Sequence, residues 1–187
     1  MQSSKNHPST EFTISPDISI ISPVFNEAKN LETFCSTLKE SIESLHHVTW
    51  ELILVDDHSS DGSIDIIRRL SRADQRIRFF RLARNEGAHI AIAAGIEHAR
   101  GECAVIMASD LQDHPDNISR MYGYWQEGYQ SVWLSRELSA DNYTPSIFGR
   151  LWYKIAKRLP GLSTMPSTGS DMFLIDKKVM EALCKQN

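Results

Sequence analysis

From residue 17 onward, short apolar runs alternate with amphipathic stretches. Ile18 to Phe25 (ISIISPVF) is a β-branched run closed by Pro23, the pattern of a buried strand. Leu31, Phe34, Leu38, Ile42 and Leu45 recur at helical spacing and predict a helix within 28–45. Trp50 to Val55 (WELILV) predicts a second strand, which stops abruptly at Asp56-Asp57. A second helix is expected to begin near Ser60-Asp61, good N-cap residues, with Ile64, Ile67 and Leu70 on one face. Arg76 to Leu82 reads as a third strand. Residues 88–99 (AHIAIAAGIEHA) form a small-residue helix suited to close packing, ended by Gly101. Cys103 to Met107 (CAVIM) is a fourth strand, followed by a helix around Asp116–Glu127 and a strand at Ser131–Leu134.

Strands alternating with helices in this way indicate right-handed β-α-β units and an α/β fold, a mainly parallel, doubly wound sheet flanked by helices. Ligands of such sheets sit outside the carboxyl ends of the strands. The polar residues fall there. Strand one ends in Asn26-Glu27, strand two in Asp56-Asp57, strand three near Arg84-Asn85 and strand four in Ser109-Asp110. Polar loops are common, but that does not explain a double Asp directly after the apolar run Leu52–Val55, or four recurrences.

Composition narrows the chemistry. The chain has 187 residues, 41% hydrophobic and 24% charged, which suits one globular domain able to bury a core without disulfides. A net charge of −4 argues against a nucleic-acid partner. Three scattered cysteines without a CxxC pair suggest buried thiols, at Cys35 and Cys103, in a reducing compartment. The seven histidines show no metal-ligand spacing, and His46-His47 reads as a solvated helix end. Residues 1–16 are expected to be a disordered polar tail, without the apolar core of a signal peptide, and no run is long enough to span a bilayer. A cytoplasmic location follows as the expectation. No GxGxxG follows strand one, and neither GxxxxGK[ST] nor GxSxG occurs, which sets aside dinucleotide-binding, P-loop and α/β-hydrolase sites. A carboxylate-rich edge remains, suited to holding a diphosphate through Mg²⁺ or Mn²⁺.

Four motifs then stand in order: Ser22-Pro23-Val24-Phe25-Asn26-Glu27, Val55-Asp56-Asp57-His58-Ser59-Ser60-Asp61-Gly62-Ser63, Arg84-Asn85-Glu86-Gly87 and Ser109-Asp110-Leu111-Gln112-Asp113. Together they resemble family 2 glycosyltransferases of the GT-A fold. The DLQD run followed by His-Pro, and the stretch Thr168–Lys178, are similar to the dolichol-phosphate mannose synthase and bactoprenol glucosyltransferase branch. The resemblance implies a nucleotide pocket lined by Pro23, Phe25, Asn26 and Glu27, with Asp56 and Asp57 on base and ribose and Arg84 and Asn85 as braces. Ser109 and Asp110 would meet the nucleotide sugar, Asp110 and Gln112 the metal, and Arg136 phosphate charge. Arg84 and Arg136 read equally well as surface ion-pair partners. At Ala108 the chain departs from the resemblance, which implies an acidic residue there. One carboxylate fewer implies a cation held more weakly, or mostly through substrate phosphates.

The resemblance further implies inverting transfer of one sugar from a nucleoside-diphosphate sugar. A lipid monophosphate acceptor is largely ionised at neutral pH, its second pKa being about 6, whereas a glycan hydroxyl needs a general base. Asp171, in the Gly169-Ser170-Asp171 run, is the catalytic candidate for that base and reads equally as a strand-start Asp. Residues 147–159 (IFGRLWYKIAKRL) join an apolar stripe to Arg150, Lys154, Lys157 and Arg158, which suits an anionic membrane surface or a helix packed on the core. Three readings stay open: transfer to a polyprenyl phosphate at the inner membrane face, transfer to a sugar hydroxyl in surface polysaccharide, and a non-catalytic nucleotide-sugar binder. Relatives in this branch are expected to continue past residue 187, so 17–187 would hold the donor site without the C-terminal acceptor or membrane part.

Overall fold

The computed structural model describes residues 15–134 and 172–185. Among them, strands β1 (Ile18–Val24), β2 (Trp50–Asp56), β3 (Ile77–Arg81), β4 (Cys103–Ile106), β5 (Ser131–Trp133) and β6 (Phe173–Asp176) form one sheet in the order β3-β2-β1-β4-β6-β5. β3, β2, β1 and β4 run parallel, while β6 lies antiparallel between β4 and β5. β1 pairs with β2 from Ile18↔Trp50 to Val24↔Asp56 and with β4 from Ile18↔Cys103 to Ile21↔Ile106.

Every residue of β1, β2 and β4 is buried, so these strands carry near-continuous apolar runs, as strands covered on both faces must. Alternate side chains serve two cores. Ile18, Ile20, Val24, Leu52, Leu54 and Val105 pack towards α1 (Leu31–Glu43), α2 (Ser63–Ala73) and α4 (Asn117–Gln126) through Phe34, Leu38, Ile67, Ile118 and Met121. On the opposite face, Ile21, Ile53, Val55, Ala104 and Ile106 meet α3 (Ala88–Glu97) and α5 (Lys177–Cys184) through Ala91, Ile92, Ile96 and Met180. α3 lies so close that a Cβ on Gly95 would collide with Ile21 Cγ2, the physical reason for its small-residue composition. Cys35 and Cys103 are buried in the first core and carry free thiols. No helix among the described residues is long and apolar enough to cross a membrane.

Two local expectations change. α2 begins at Ser63, with Gly62 rather than Ser60 or Asp61 at its N-cap: the Ser60 hydroxyl and Asp61 Oδ2 reach the loop after β1, while Asp61 Oδ1 accepts from the Ser63 amide. β3 is shorter than the expected Arg76–Leu82; Arg76 still accepts the Leu52 amide on its carbonyl, while its side chain bonds Asp74 and stacks on Trp50, its guanidinium carbon 4.1 Å from the ring centroid. The 1–16 tail (save its last two residues), Arg136, the 147–159 stripe and Asp171 lie outside the described residues.

Candidate functional site

The strand order reverses between β1 and β4, and the crevice that opens there at the carboxyl ends of the strands is where α/β sheets bind ligands. It holds a cavity of about 210 Å³. Pro23, Phe25 and Glu27 line it from the end of β1 and the loop after it, Asp57 from just past β2, Ala88 from the start of α3, and Ala108, Ser109 and Asp110 from the loop after β4. Phe25 is 48% exposed, an aromatic face open at the mouth.

The walls are tied together by side chains acting on distant backbone. Asn26 adopts a left-handed conformation, φ 57°, which lets its Oδ1 accept from the amides of Ser60 (2.9 Å) and Asp61 (3.3 Å). In return Ser59 Oγ accepts from the Asn26 amide, Ser63 Oγ from that of Glu27, and Asp61 Oδ2 from that of Ala28, at 2.9–3.0 Å. The β1 and β2 loops thus form one unit. Partial desolvation pushes the Asp61 carboxyl upward, but the bonds from the Ser63 side chain and from the Ser63 and Ala28 amides outweigh it, leaving it below the usual carboxylate range.

Asp57 is buried and spans to the next loop. Its Oδ1 accepts from the Glu86 amide and its Oδ2 from the Gly87 amide, both at 2.8 Å. Gly87 precedes α3 at φ 88°, a conformation that glycine adopts without a Cβ penalty. Asp56 lies wholly inside, its Oδ1 accepting from the Ser59 amide and its Oδ2 3.1 Å from Arg81 Nε, an ion pair in which no hydrogen bond is aligned on Oδ2. Arg81 Nη2 also donates to the Ser59 carbonyl at 3.0 Å.

After β4, Ala108, Ser109 and Asp110 all line the cavity, and the Ser109 hydroxyl donates to the Pro23 carbonyl at 3.5 Å. Asp110 Oδ1 accepts from the Gln112 amide at 3.1 Å, and Leu111 between them has φ 60°. Asn26, His58 and Leu111, at the ends of three adjacent strands, are all left-handed, a clustering of backbone strain typical of binding loops. Asp110 brings a carboxylate, a donor type that suits a divalent cation, to the cavity, whereas Gln112 is exposed and does not line it. Among the described residues, no three His, Cys, Asp or Glu side chains are grouped to hold a metal ion.

Pro23, Phe25, Glu27, Asp57, Ser109 and Asp110 therefore meet at one cavity. Asn26 and Asp56 brace its walls. Arg84 is 80% exposed and pairs with Glu86, and Asn85 is exposed; neither lines the cavity. Sequence reasoning missed Arg81, Ser59 and Ser63. The register supplies a signal for the first, since Arg81 stands directly beside Asp56 on the neighbouring strand.

Comparison with known proteins places this geometry. The glycosyl transferase family 2 model matches residues 19–183. An uncharacterized glycosyltransferase of Synechocystis sp. is 32% identical over 168 residues, 89% of this chain and 52% of its own length. The undecaprenyl-phosphate 4-deoxy-4-formamido-L-arabinose transferase of Pseudomonas syringae is 34% identical over 156 residues, 83% of this chain and 44% of the relative. The chain thus spans about half the length of the curated relatives it matches. Among solved structures, a mannosyltransferase from Pyrobaculum calidifontis in complex with GDP-Man and Mn²⁺ superposes with a TM-score of 0.64 at 18% identity, covering 91% of this chain and 47% of that one. That likeness is one of fold.

Proposed function

Because this chain belongs to glycosyl transferase family 2, we propose that its crevice binds a nucleoside-diphosphate sugar and passes the sugar, with inversion, to a polyprenyl phosphate. One observation carries the reading: Asp57 and Asp110, delivered by β2 and β4, face a single cavity at the point where the strand order reverses. The flat, half-exposed ring of Phe25 offers the base a stacking face. The Asp57 carboxylate retains lone pairs for a ring N–H or a ribose hydroxyl beyond the two amides it holds. Asp110 and Gln112 would hold Mg²⁺ or Mn²⁺, whose chemistry is to offset charge on the departing diphosphate.

A relative named for undecaprenyl phosphate supports the lipid acceptor. An ionised phosphate oxygen attacks without a base, so Asp171 would be dispensable in that case and essential for a hydroxyl. The same acceptor puts the reaction at a membrane surface, with 147–159 as the contact segment.

The test is incubation with radiolabelled UDP-, GDP- or dTDP-sugars, Mg²⁺ or Mn²⁺, and polyprenyl phosphate. Label entering the organic phase is expected. Label found only in water-soluble glycan would replace the acceptor. Nucleotide binding without transfer or donor hydrolysis would overturn the catalytic reading.

A further inference from the structure

We propose that a groove at the amino edge of the sheet, opposite the donor cavity, is a second binding site that takes a phosphate-bearing anion through Arg78 and Arg100. The groove has a volume of about 690 Å³, against about 210 Å³ for the donor cavity. That is room for a sugar phosphate or a lipid headgroup, within the usual range of ligand sites. Its walls are the turn between α1 and β2, the first residues of β2 and β3, and Arg100 ahead of β4. Strand β2 separates the two sites, with Trp50 in the groove and Asp56 at the far edge, roughly 20 Å away at the strand rise of about 3.3 Å per residue. The groove shares no residue with the donor cavity.

The carboxylates of the groove are spent, while its donors are not. Glu51, buried at the floor, accepts on Oε1 from Ser19 Oγ and the Arg100 amide, both at 2.7 Å, and on Oε2 from Arg78 Nη1 at 2.6 Å. Glu43 pairs with Arg76 and Lys39, and Arg76 is itself taken up by Asp74 and the face of Trp50. Arg78 differs. Its bonds to Glu51 and to the His98 carbonyl, the latter at 3.0 Å, both leave from Nη1, so Nε and Nη2 donate to nothing among the described residues. The buried carboxylate thus fixes a guanidinium, 22% exposed, whose other edge is unused. Arg100 is exposed; its backbone N–H is bound to Glu51, and its guanidinium meets no carboxylate among the described residues. Three arginines and two glutamates line the groove, which leaves one positive charge over. Spare N–H groups on two guanidiniums call for an anion rich in acceptors, and phosphate takes such forks bidentately. A carboxylate has two oxygens and fills one fork. A terminal phosphate has three and can serve Arg78 and Arg100 together.

The experiment is calorimetric titration of the full chain with inorganic pyrophosphate in EDTA, and in parallel cosedimentation with phosphatidylcholine vesicles with and without phosphatidic acid. Saturable pyrophosphate binding is expected, weakened about tenfold or more by Arg100→Ala, the loss of a hydrogen bond to a charged group. Arg100→Lys should recover part of that loss. Arg78→Lys, which keeps the charge beside Glu51 and removes the fork, should also weaken binding. Arg72→Ala removes an exposed arginine outside the groove and should cost little. Binding to phosphatidic acid vesicles that Arg100→Ala abolishes would name a lipid headgroup as the source of the phosphate; pyrophosphate binding alone would name a soluble phosphate compound. Equal losses in Arg72→Ala and Arg100→Ala would mean diffuse surface charge and overturn the proposal. Pyrophosphate binding that UDP displaces and Arg100→Ala leaves intact would overturn it too, because the anion would then sit in the donor cavity. So would the absence of saturable binding of either probe. Arg100→Ala keeps the backbone bond to Glu51, so its thermal midpoint should match the parent's.

Discussion

Asp57 accepts the Gly87 amide at 2.8 Å across a gap of 30 residues, joining the end of β2 to the glycine that opens α3. Its second oxygen holds the neighbouring Glu86 amide, so one carboxylate sets two successive N–H groups beside the cavity. Asparagine keeps one acceptor oxygen and turns an NH₂ towards the other amide. Asp57→Asn should therefore lose about 1–3 kcal/mol of stability, the cost of a buried donor left unmet. It should also weaken UDP or GDP binding about tenfold or more, since a strong pair across a ligand pocket is worth a kcal/mol or more. Urea unfolding and calorimetry read the two effects separately. A variant equal to the parent in both would remove Asp57 from the site.

Arg81 and Asp56 face each other across the β2–β3 ladder, the carboxylate wholly buried and the guanidinium one-third exposed. Removing the cation leaves an uncompensated buried charge, which costs about 3–5 kcal/mol in enclosed pairs. The partial exposure of Arg81 lets water reach the pair, so Arg81→Met is expected near the lower end, about 3 kcal/mol. Adding Asp56→Asn should restore part of that loss, because the orphan charge is gone. Urea midpoints for the two single variants and the double variant close the cycle. Strictly additive losses would show that the pair does not interact.

Much of the framework was legible because β1 and β2 are covered on both faces and so are mostly apolar, buried Ser19, Ser22 and Glu51 being the exceptions, with polar residues clustering where they stop at Asn26 and Asp56-Asp57. The antiparallel direction of β6 was not legible, since a short apolar strand reads alike in either sense. Ser60 and Asp61 misled for a physical reason. A residue suited to capping a helix is equally suited to other partners: here Asp61 Oδ2 accepts from the Ala28 amide 33 positions away, and the Ser60 hydroxyl donates to Asn26 Oδ1 34 positions away. Asp57 poses the same ambiguity: a carboxylate after a strand looks identical whether it waits for a ligand or grips Glu86 and Gly87.

Acid should destabilise the fold through Asp74. Hydrogen bonds from the Arg76 side chain hold its carboxyl below the usual carboxylate range, with Nη2 to Oδ2 at 2.6 Å and Nε to Oδ1 at 3.0 Å. A carboxyl whose folded pKa lies below its unfolded one contributes stability above the unfolded value, and that contribution is lost as pH falls through the folded one. Asp61, depressed by the Ser63 and Ala28 bonds despite partial desolvation, acts in the same direction. Thermal midpoints should fall as pH drops below about 4, the unperturbed carboxylate range. Asp74→Asn should flatten that fall, and an unchanged acid limb would rule the Asp74–Arg76 pair out as its source.

Thiol chemistry should sort the three cysteines by depth. Burial pushes the Cys35 thiol up to about 12, and burial, aided by the nearby charges of Asp176, Asp17 and Glu102, pushes Cys103 up as well. The thiolate is the reactive form, so neither should react with a disulfide reagent at pH 8 while the fold holds. Cys184 lies exposed at the end of α5 and is open to the reagent, its thiol raised only by slight burial and by Glu97. Native protein should therefore release colour from DTNB for one thiol, and denatured protein for all three. Cys184→Ser should abolish the native signal alone. A second thiol reacting at the same rate in the native state would mean that the core around Cys35 or Cys103 opens far more readily than its packing against β1 and α1 implies.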